Sequence, residues 1–120
     1  MKYDHIIAKA VKSLVLTNGA SINLKGEIPT TGFMVSIPNH EQIVNSDLSN
    51  LMVELEHYIF KHERLLQNPL YYLGLWQDKA GIYIDISQRF EHKQFATSTG
   101  KKWKQIAIYD VLHEESIYLK

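Results

Sequence analysis

A change in hydrophobic period near residue 70 is the feature that most constrains the fold. From Tyr72 to Ser87 apolar and polar side chains alternate on both sides of the turn residues 77–81, and this pattern predicts a β-hairpin. Ile82, Ile84 and Ile86 would face one side of the second strand. Tyr83, Asp85 and Ser87 would face the other side, because successive side chains of a strand point in opposite directions.

Helical periodicity before this point predicts a helix from about Asp47 to Gln67. Ser46 or Asp47 would cap it, since a short side-chain oxygen can accept a hydrogen bond from the first turn. Asn68-Pro69 would end it, because the residue before proline avoids the α region. The predicted inward stripe consists of Leu48, Leu51, Met52, Leu55, Ile59, His62 and Leu66.

Two further helices have weaker patterns. Apolar residues at helical spacing predict an N-terminal helix from Tyr3 to about Leu16, which the turn-forming pair Asn18-Gly19 would end. A short helix from Glu91 to about Trp103 would turn Phe95 and Ala96 inward.

The remaining strands complete the order of elements. Ser21–Lys25 and Gly32–Ile37 are predicted strands that a loose hairpin could join, and Gln105–Tyr109 and Ser116–Leu119 are the last two. The order is therefore α-β-β-α-β-β-α-β-β. This order predicts a single α+β domain over residues 1–120, with an antiparallel or mixed sheet built from hairpins and helices packed on one face.

Composition narrows the classes of function. The chain has 120 residues, 13 basic and 13 acidic side chains and no cysteine. Zero net charge removes the overall attraction to phosphate that nucleic-acid-binding proteins usually have. The lack of cysteine excludes disulfides, thiolate catalysis and cysteine-ligated zinc. No apolar run approaches the roughly 18 residues of a membrane span, and no secretory signal is recognisable, so we expect a cytoplasmic protein.

Motifs for catalysis, metal binding and cofactor binding are missing from the sequence. Six histidines are present, but the helical Glu54-x-x-His57 spacing occurs once, whereas a di-iron bundle needs it twice. There is no G-x-S-x-G motif and no phosphate-binding glycine loop. Asp85 and Asp110 could act as an acid and a base, but structural roles are the favoured interpretation. Asp85 would hydrogen-bond to a neighbouring strand's hydroxyl or to a turn N–H, and Asp110 would open a loop. We therefore predict no enzyme activity, no metal and no cofactor.

One basic cluster supports an alternative function. An aromatic side chain between lysines, as in Lys101-Lys102-Trp103-Lys104, is a common arrangement for holding single-stranded nucleic acid. The interpretation of Trp103 as a core residue with solvated lysines around it is favoured. A nucleic-acid-associated accessory protein remains the second hypothesis.

Aromatic residues concentrate on the four C-terminal strands. Tyrosine and tryptophan dominate the hot spots of protein interfaces, so the face with Tyr72, Trp76 and Tyr83 either binds a partner or is covered by a helix or by a second copy of the chain. The predicted protein-binding residues are Tyr72, Trp76, Tyr83, Asp85, Trp103 and Tyr109.

Three segments resemble a family of small proteins of phages, prophages and other mobile elements. They are Tyr72–Asp78, Gly81–Ser87 and Gln105–Asp110, which are similar to the patterns Y-L-G-x-W-x-D, G-x-x-Y-x-D-x-S and Q-x-A-I-(Y/F)-D. The resemblance covers about residues 31–120 and brings no catalytic residue with it. It implies a phage or prophage accessory protein, and small proteins of this kind often bind and inhibit a host defence protein. The length and general character of the chain also fit an inhibitor of an NAD-depleting defence enzyme of the defence-associated sirtuin type.

Overall fold

The computed structural model describes residues 2–44 and 48–119, apart from the side chains of residues 48 and 49. The described helices are α1 (Asp4–Thr17), α2 (Leu48–Lys61), α3 (Glu63–Leu66) and α4 (Lys93–Lys102). The described strands are β1 (Gly19–Ile22), β2 (Phe33–Ser36), β3 (Gln42–Val44), β4 (Tyr71–Asp78), β5 (Gly81–Phe90), β6 (Ala107–Asp110) and β7 (Glu115–Tyr118). The prediction of a single α+β fold is confirmed. None of the described helices is long and apolar enough to cross a bilayer.

The strands form one antiparallel sheet in the order β1-β4-β5-β2-β6-β7. Strand β5 lies at its centre. One edge of β5 pairs with β4 along the whole of β4, and the other edge pairs with β2 and, further along, with β3. The sheet is therefore antiparallel throughout the described strands, which is the first of the two arrangements that the sequence allowed.

The helices all pack on one side of this sheet. The larger apolar cluster joins α1, α2 and α3 to the aliphatic side of β4 and β5, including Leu73, Ile84 and Ile86. A smaller cluster under α4 contains Val35, Ala96 and Ile108. Val35 is opposite Gln88 in the register, so it points to the same side as Ile84 and Ile86. The two clusters therefore share one face, and none of the described helices covers the other.

Two of the predicted hairpins are confirmed and one is wrong. Strands β4 and β5 form the predicted hairpin and extend beyond its predicted ends, and β6 pairs with β7. Strands β1 and β2 do not pair with each other, because β1 adds to β4 and β2 to β5. The connection between them turns tightly at Asn23, whose side-chain Oδ1 accepts from the backbone N–H of Lys25 and of Glu27. It then passes to the far side of the β4–β5 hairpin.

The predicted helix over residues 47–67 is interrupted. His62 leaves the helical conformation with φ −112° and separates α2 from α3. The predicted caps Ser46 and Asp47 lie outside the described residues. Leu51, Leu55 and Ile59 are buried as predicted. Met52 is 46% exposed, contrary to the prediction. The helix turns the row of residues at four-residue steps, Leu51, Leu55 and Ile59, toward the sheet, and Met52 lies outside this row.

Helix α4 confirms one predicted inward residue and contradicts the other. Ala96 is fully buried, whereas Phe95 is 54% exposed. The helix docks on the sheet through Ala96 and Gly100. The contact is close at Gly100, where an added Cβ would lie 2.9 Å from Cγ2 of Ile108. Since neighbouring helical positions are about 100° apart, Phe95 is turned away from the sheet. The short strand β3 was not predicted at all.

Candidate functional site

The sheet side opposite the helices is called the helix-free face below. Strand alternation and pairing register place on it the residues Gly19, Ser21, Met34, Ser36, Ile43, Tyr72, Gly74, Trp76, Asp78, Tyr83, Asp85, Ser87, Arg89, Ala107, Tyr109, Ser116 and Tyr118. Five of the six predicted binding residues are therefore on one face.

A stacked aromatic pair stands near one end of this face. The rings of Trp76 and Tyr83 lie parallel within 7°, with their centroids 4.2 Å apart. They are register partners, and the same row continues to Ile43 on β3 and to Gly19 on β1. Trp76 is 44% and Ile43 is 54% exposed. On the side away from Tyr83, the register partner of Trp76 is Gly19, which has no side chain to cover the indole. This side of the ring is called the open face of the indole below.

The carboxylate of Asp85 lies next to this pair. Ser36 donates a hydrogen bond from Oγ to Oδ2 of Asp85, at 3.0 Å. The other oxygen, Oδ1, extends over Gly74, where an added Cβ would be only 2.2 Å away. Among the described residues no group donates a hydrogen bond to Oδ1. The predicted hydrogen bond between Asp85 and a hydroxyl of a neighbouring strand is confirmed, but it satisfies one oxygen only.

Desolvation raises the pKa of Asp85 above its ordinary value. The hydrogen bond from Ser36 lowers this pKa, and the nearby negative charge of Glu41 raises it further. Glu41 immediately precedes β3, whose register continues toward Asp85. Ionised Asp85 is thus a partly buried charge for which residues 2–44 and 48–119 supply no cation.

The basic side chain among the strand residues of this face is already engaged. Arg89 donates hydrogen bonds from Nε and Nη2 to the carbonyl oxygen and the hydroxyl of Thr31, both at 2.9 Å. It also lies 3.6 Å from Glu91. These contacts hold the β1–β2 connection against the sheet. Tyr72, which lies at the same end of the helix-free face as Arg89, is buried. The strand residues at the exposed end with Trp76 include Asp78 and Asp85 and no basic side chain.

Tyr109 and Trp103 are separated from the stacked pair. Tyr109 is exposed on β6 of the helix-free face, beyond β2, and forms a second aromatic position together with Tyr118. Trp103 follows α4 on the opposite side, where it packs against the smaller apolar cluster. The structure thus places Trp103 apart from the other predicted binding residues, in the core position that the sequence favoured for it. Lys101, Lys102 and Lys104 around it are exposed.

The other candidate acids and ligands do not converge. Asp110 lies 2.8 Å from Nδ1 of His113, and this hydrogen bond lowers the pKa of Asp110. Among residues 2–44 and 48–119 no group of three histidines or acids could hold a metal ion. The ring centroids of His40 and His62 lie 5.2 Å apart. The two residues come from distant segments, so their positions in the sequence do not predict this contact.

Sequence reasoning missed the small residues that shape this face. Gly74 and Gly19 make room beside Asp85 and Trp76, and Ser36 orients the carboxylate. A glycine inside a predicted strand marks a close approach or a bulge, so Gly74 carried a usable signal. Comparison with known protein families, with curated proteins and with solved structures finds no match for this chain.

Proposed function

We propose that this chain is a non-enzymatic phage or prophage accessory protein that binds and inhibits a bacterial protein in the host cytoplasm. The length and general character of the chain suggest the target, an anti-phage defence enzyme that depletes NAD, such as a defence-associated sirtuin. The observation that carries the binding function is the partly exposed Trp76–Tyr83 stack on a sheet face that none of the described helices covers.

This stack has the properties of an interface anchor. Two rigid aromatic side chains already hold each other in place, so little rotamer freedom is left to lose when a partner covers them. Ile43 extends the apolar surface on one side. Burial of such aromatic groups typically provides most of the affinity of an interface. The acidic groups nearby would restrict which partners fit, because an unmatched charge is costly to bury.

The two alternatives have less support. Binding of single-stranded nucleic acid by the lysine cluster would use Trp103 as a free stacking ring, but Trp103 packs against an apolar cluster instead. Acid–base catalysis would need two carboxyl groups with different protonation states near one reacting atom. Asp110 lies on the helix-bearing side of the sheet and pairs with His113, whereas Asp85 lies on the other side.

Direct binding and inhibition assays with a purified defence-associated sirtuin test the proposal. We expect the wild-type protein to form a stoichiometric complex and to slow the enzyme's NAD consumption. The double variant Trp76→Ala/Tyr83→Ala should bind about 30-fold more weakly, the scale of losing an interface hot spot. Phe95→Ala is the matched control, since Phe95 is an exposed aromatic residue on the helix-bearing side, and it should bind normally.

Two results would contradict the proposal. One is equal binding by the wild-type protein and the Trp76→Ala/Tyr83→Ala variant, because the helix-free face would then not be the interface. The other is the lack of any stoichiometric partner, both with the purified enzyme and in lysates of bacteria that carry such defence systems.

A further inference from the structure

One oxygen of the Asp85 carboxylate is the starting point. Oδ2 accepts from Ser36, whereas Oδ1 lies over Gly74 and accepts no hydrogen bond from any residue that the structure describes. A carboxylate that has lost part of its water shell without gaining a donor costs free energy. Such a group is stabilised when a partner supplies the missing N–H donors.

The surroundings of Oδ1 leave room for a ligand group. Gly74 and Trp76 are two residues apart on β4, about 7 Å along the strand. The neighbouring positions on β1 are Ser21, opposite Gly74, and Gly19, opposite Trp76. The Asp85 carboxylate covers Gly74, whereas an added Cβ at Gly19 would meet only the carbonyl oxygen of Leu75, at 3.6 Å. The small β1 residues Gly19 and Ser21 therefore form a shallow floor beside the indole and the carboxylate.

The charge around this floor selects a cation. The strand residues near it include Asp78 and Asp85, and Glu41 lies close enough to act on the pKa of Asp85. Arg89, on the same face, is engaged by Thr31 and Glu91 and cannot neutralise them. An anionic group would be repelled here, and a purely apolar group would bury Asp85 without a donor.

We propose that this floor receives an arginine side chain of the protein partner, which stacks on the open face of Trp76 and donates hydrogen bonds to Oδ1 of Asp85. A guanidinium is favoured over an ammonium because it is planar, stacks on aromatic rings and can donate in its own plane at the same time. The inference rests on the proposed function, since it names what the partner presents to the helix-free face.

Titration of the protein with N-acetyl-arginine amide, followed by NMR, tests the site without a partner. We expect saturable shifts of the Trp76 indole N–H and of the Gly74 and Asp85 backbone amides, with a dissociation constant in the millimolar range. The citrulline amide is a neutral molecule of the same shape and should bind at least about 10-fold more weakly, since a charge-assisted hydrogen bond is lost. The lysine amide should be intermediate.

Three variants localise the binding. Asp85→Asn should weaken arginine amide binding about 10-fold, whereas Glu115→Gln removes one exposed carboxylate on the opposite side and should leave it unchanged. Gly19→Val is the independent test, because an added Cβ there meets only the Leu75 carbonyl oxygen at 3.6 Å. The valine should keep the fold and block the open face of the indole.

The outcomes separate this inference from the proposed function. Equal binding of arginine and citrulline amides, shifts confined to other regions, or normal binding by Gly19→Val would overturn the arginine site alone. If the Trp76→Ala/Tyr83→Ala variant still binds the purified partner, the proposed function is wrong and the partner's arginine is wrong with it. If that variant loses the partner while Asp85→Asn and Gly19→Val keep it, the face binds the partner without an arginine at this floor.

Discussion

At the scale of single residues, Asp85 holds a charge where the fold disfavours it. Desolvation raises its pKa in the folded protein, so the folded state holds this proton more tightly than the unfolded chain does. The free energy of unfolding therefore falls as the pH rises from the unfolded-state pKa, about 4, through the folded-state pKa, and stays lower above it.

Asp85→Asn is consequently expected to stabilise the protein at pH 7. Asparagine keeps the acceptor for Ser36 and removes the unpaired charge, which should increase the free energy of unfolding by on the order of 1 kcal/mol. The gain should shrink as the pH falls to 4, where the wild-type carboxyl becomes protonated. Urea unfolding at both pH values measures this, with Glu115→Gln as the control. A loss of stability at pH 7 would mean that Asp85 has a structural partner.

We expect that the fold requires glycine at position 74 because the Asp85 side chain occupies the space that a Cβ would fill. An added Cβ would be 2.2 Å from Oδ1 and 3.7 Å from the backbone oxygen of Asp85, so the close contact is with the side chain. Gly74→Ala should therefore destabilise the protein by about 2 kcal/mol. In the Asp85→Ala background the same change should cost much less. Equal costs in the two backgrounds, measured by urea unfolding, would show that the backbone and not the carboxylate excludes the methyl group.

At the scale of elements, local patterns predicted the β4–β5 hairpin and the aliphatic row of Ile82, Ile84 and Ile86, because alternation and a short turn are local signals. The pairing of β1 with β4 was missed, since it depends on competition between distant strands. Strand β3 has only three residues, Gln42–Val44, too few to show a period.

The sequence predicted the part of the candidate site that lies within one hairpin, and it did not predict the parts that depend on distant strand pairing or helix packing. Alternation placed Tyr72, Trp76 and Tyr83 together, because they belong to one hairpin. The position of Tyr109 on the same face required the pairing of β6 with β2. Trp103 could not be assigned to a face from sequence, since the docking side of a short helix is decided by packing.

Helix α4 provides a test of that packing. Gly100 lies against β6 and the residue that follows β7. An added Cβ would be 2.7 Å from Cδ1 of Leu119 and 2.9 Å from Cγ2 of Ile108. Helix propensity alone would favour alanine by about 1 kcal/mol. We expect the contacts to outweigh this, so that Gly100→Ala lowers the melting temperature, while Ser98→Ala, at an exposed position of the same helix, raises it slightly. A higher melting temperature for Gly100→Ala would show that α4 can move away from the sheet.

At the scale of the whole molecule, the two sides of the sheet have different roles. The helix-bearing side contains both apolar clusters. Leu73→Ala and Ile84→Ala, which remove fully buried side chains there, should each cost 2–5 kcal/mol, about the range for such truncations. Trp76→Ala/Tyr83→Ala should cost roughly 1–2 kcal/mol and leave the amide spectrum folded, because the stack is partly exposed. Global unfolding of this double variant would instead place the stack in the core.

The distribution of charge separates protein binding from nucleic-acid binding. The net charge is zero, but Lys101, Lys102 and Lys104 are exposed on the helix-bearing side. The strand residues at the exposed end of the helix-free face include two acids and no basic side chain. Contacts of three lysines with phosphate, without aromatic stacking, should hold single-stranded DNA only at low salt.

We therefore expect weak binding of a single-stranded oligonucleotide at about 20 mM salt and none at about 150 mM, with little change in tryptophan fluorescence. Lys101→Ala/Lys102→Ala should abolish the low-salt binding, and Trp76→Ala should not affect it. Binding that persists at the higher salt and quenches the fluorescence of Trp103 would mean that this indole leaves the apolar cluster to stack on a base. In that case the lysine-rich end of α4, and not the helix-free face, would be the functional surface.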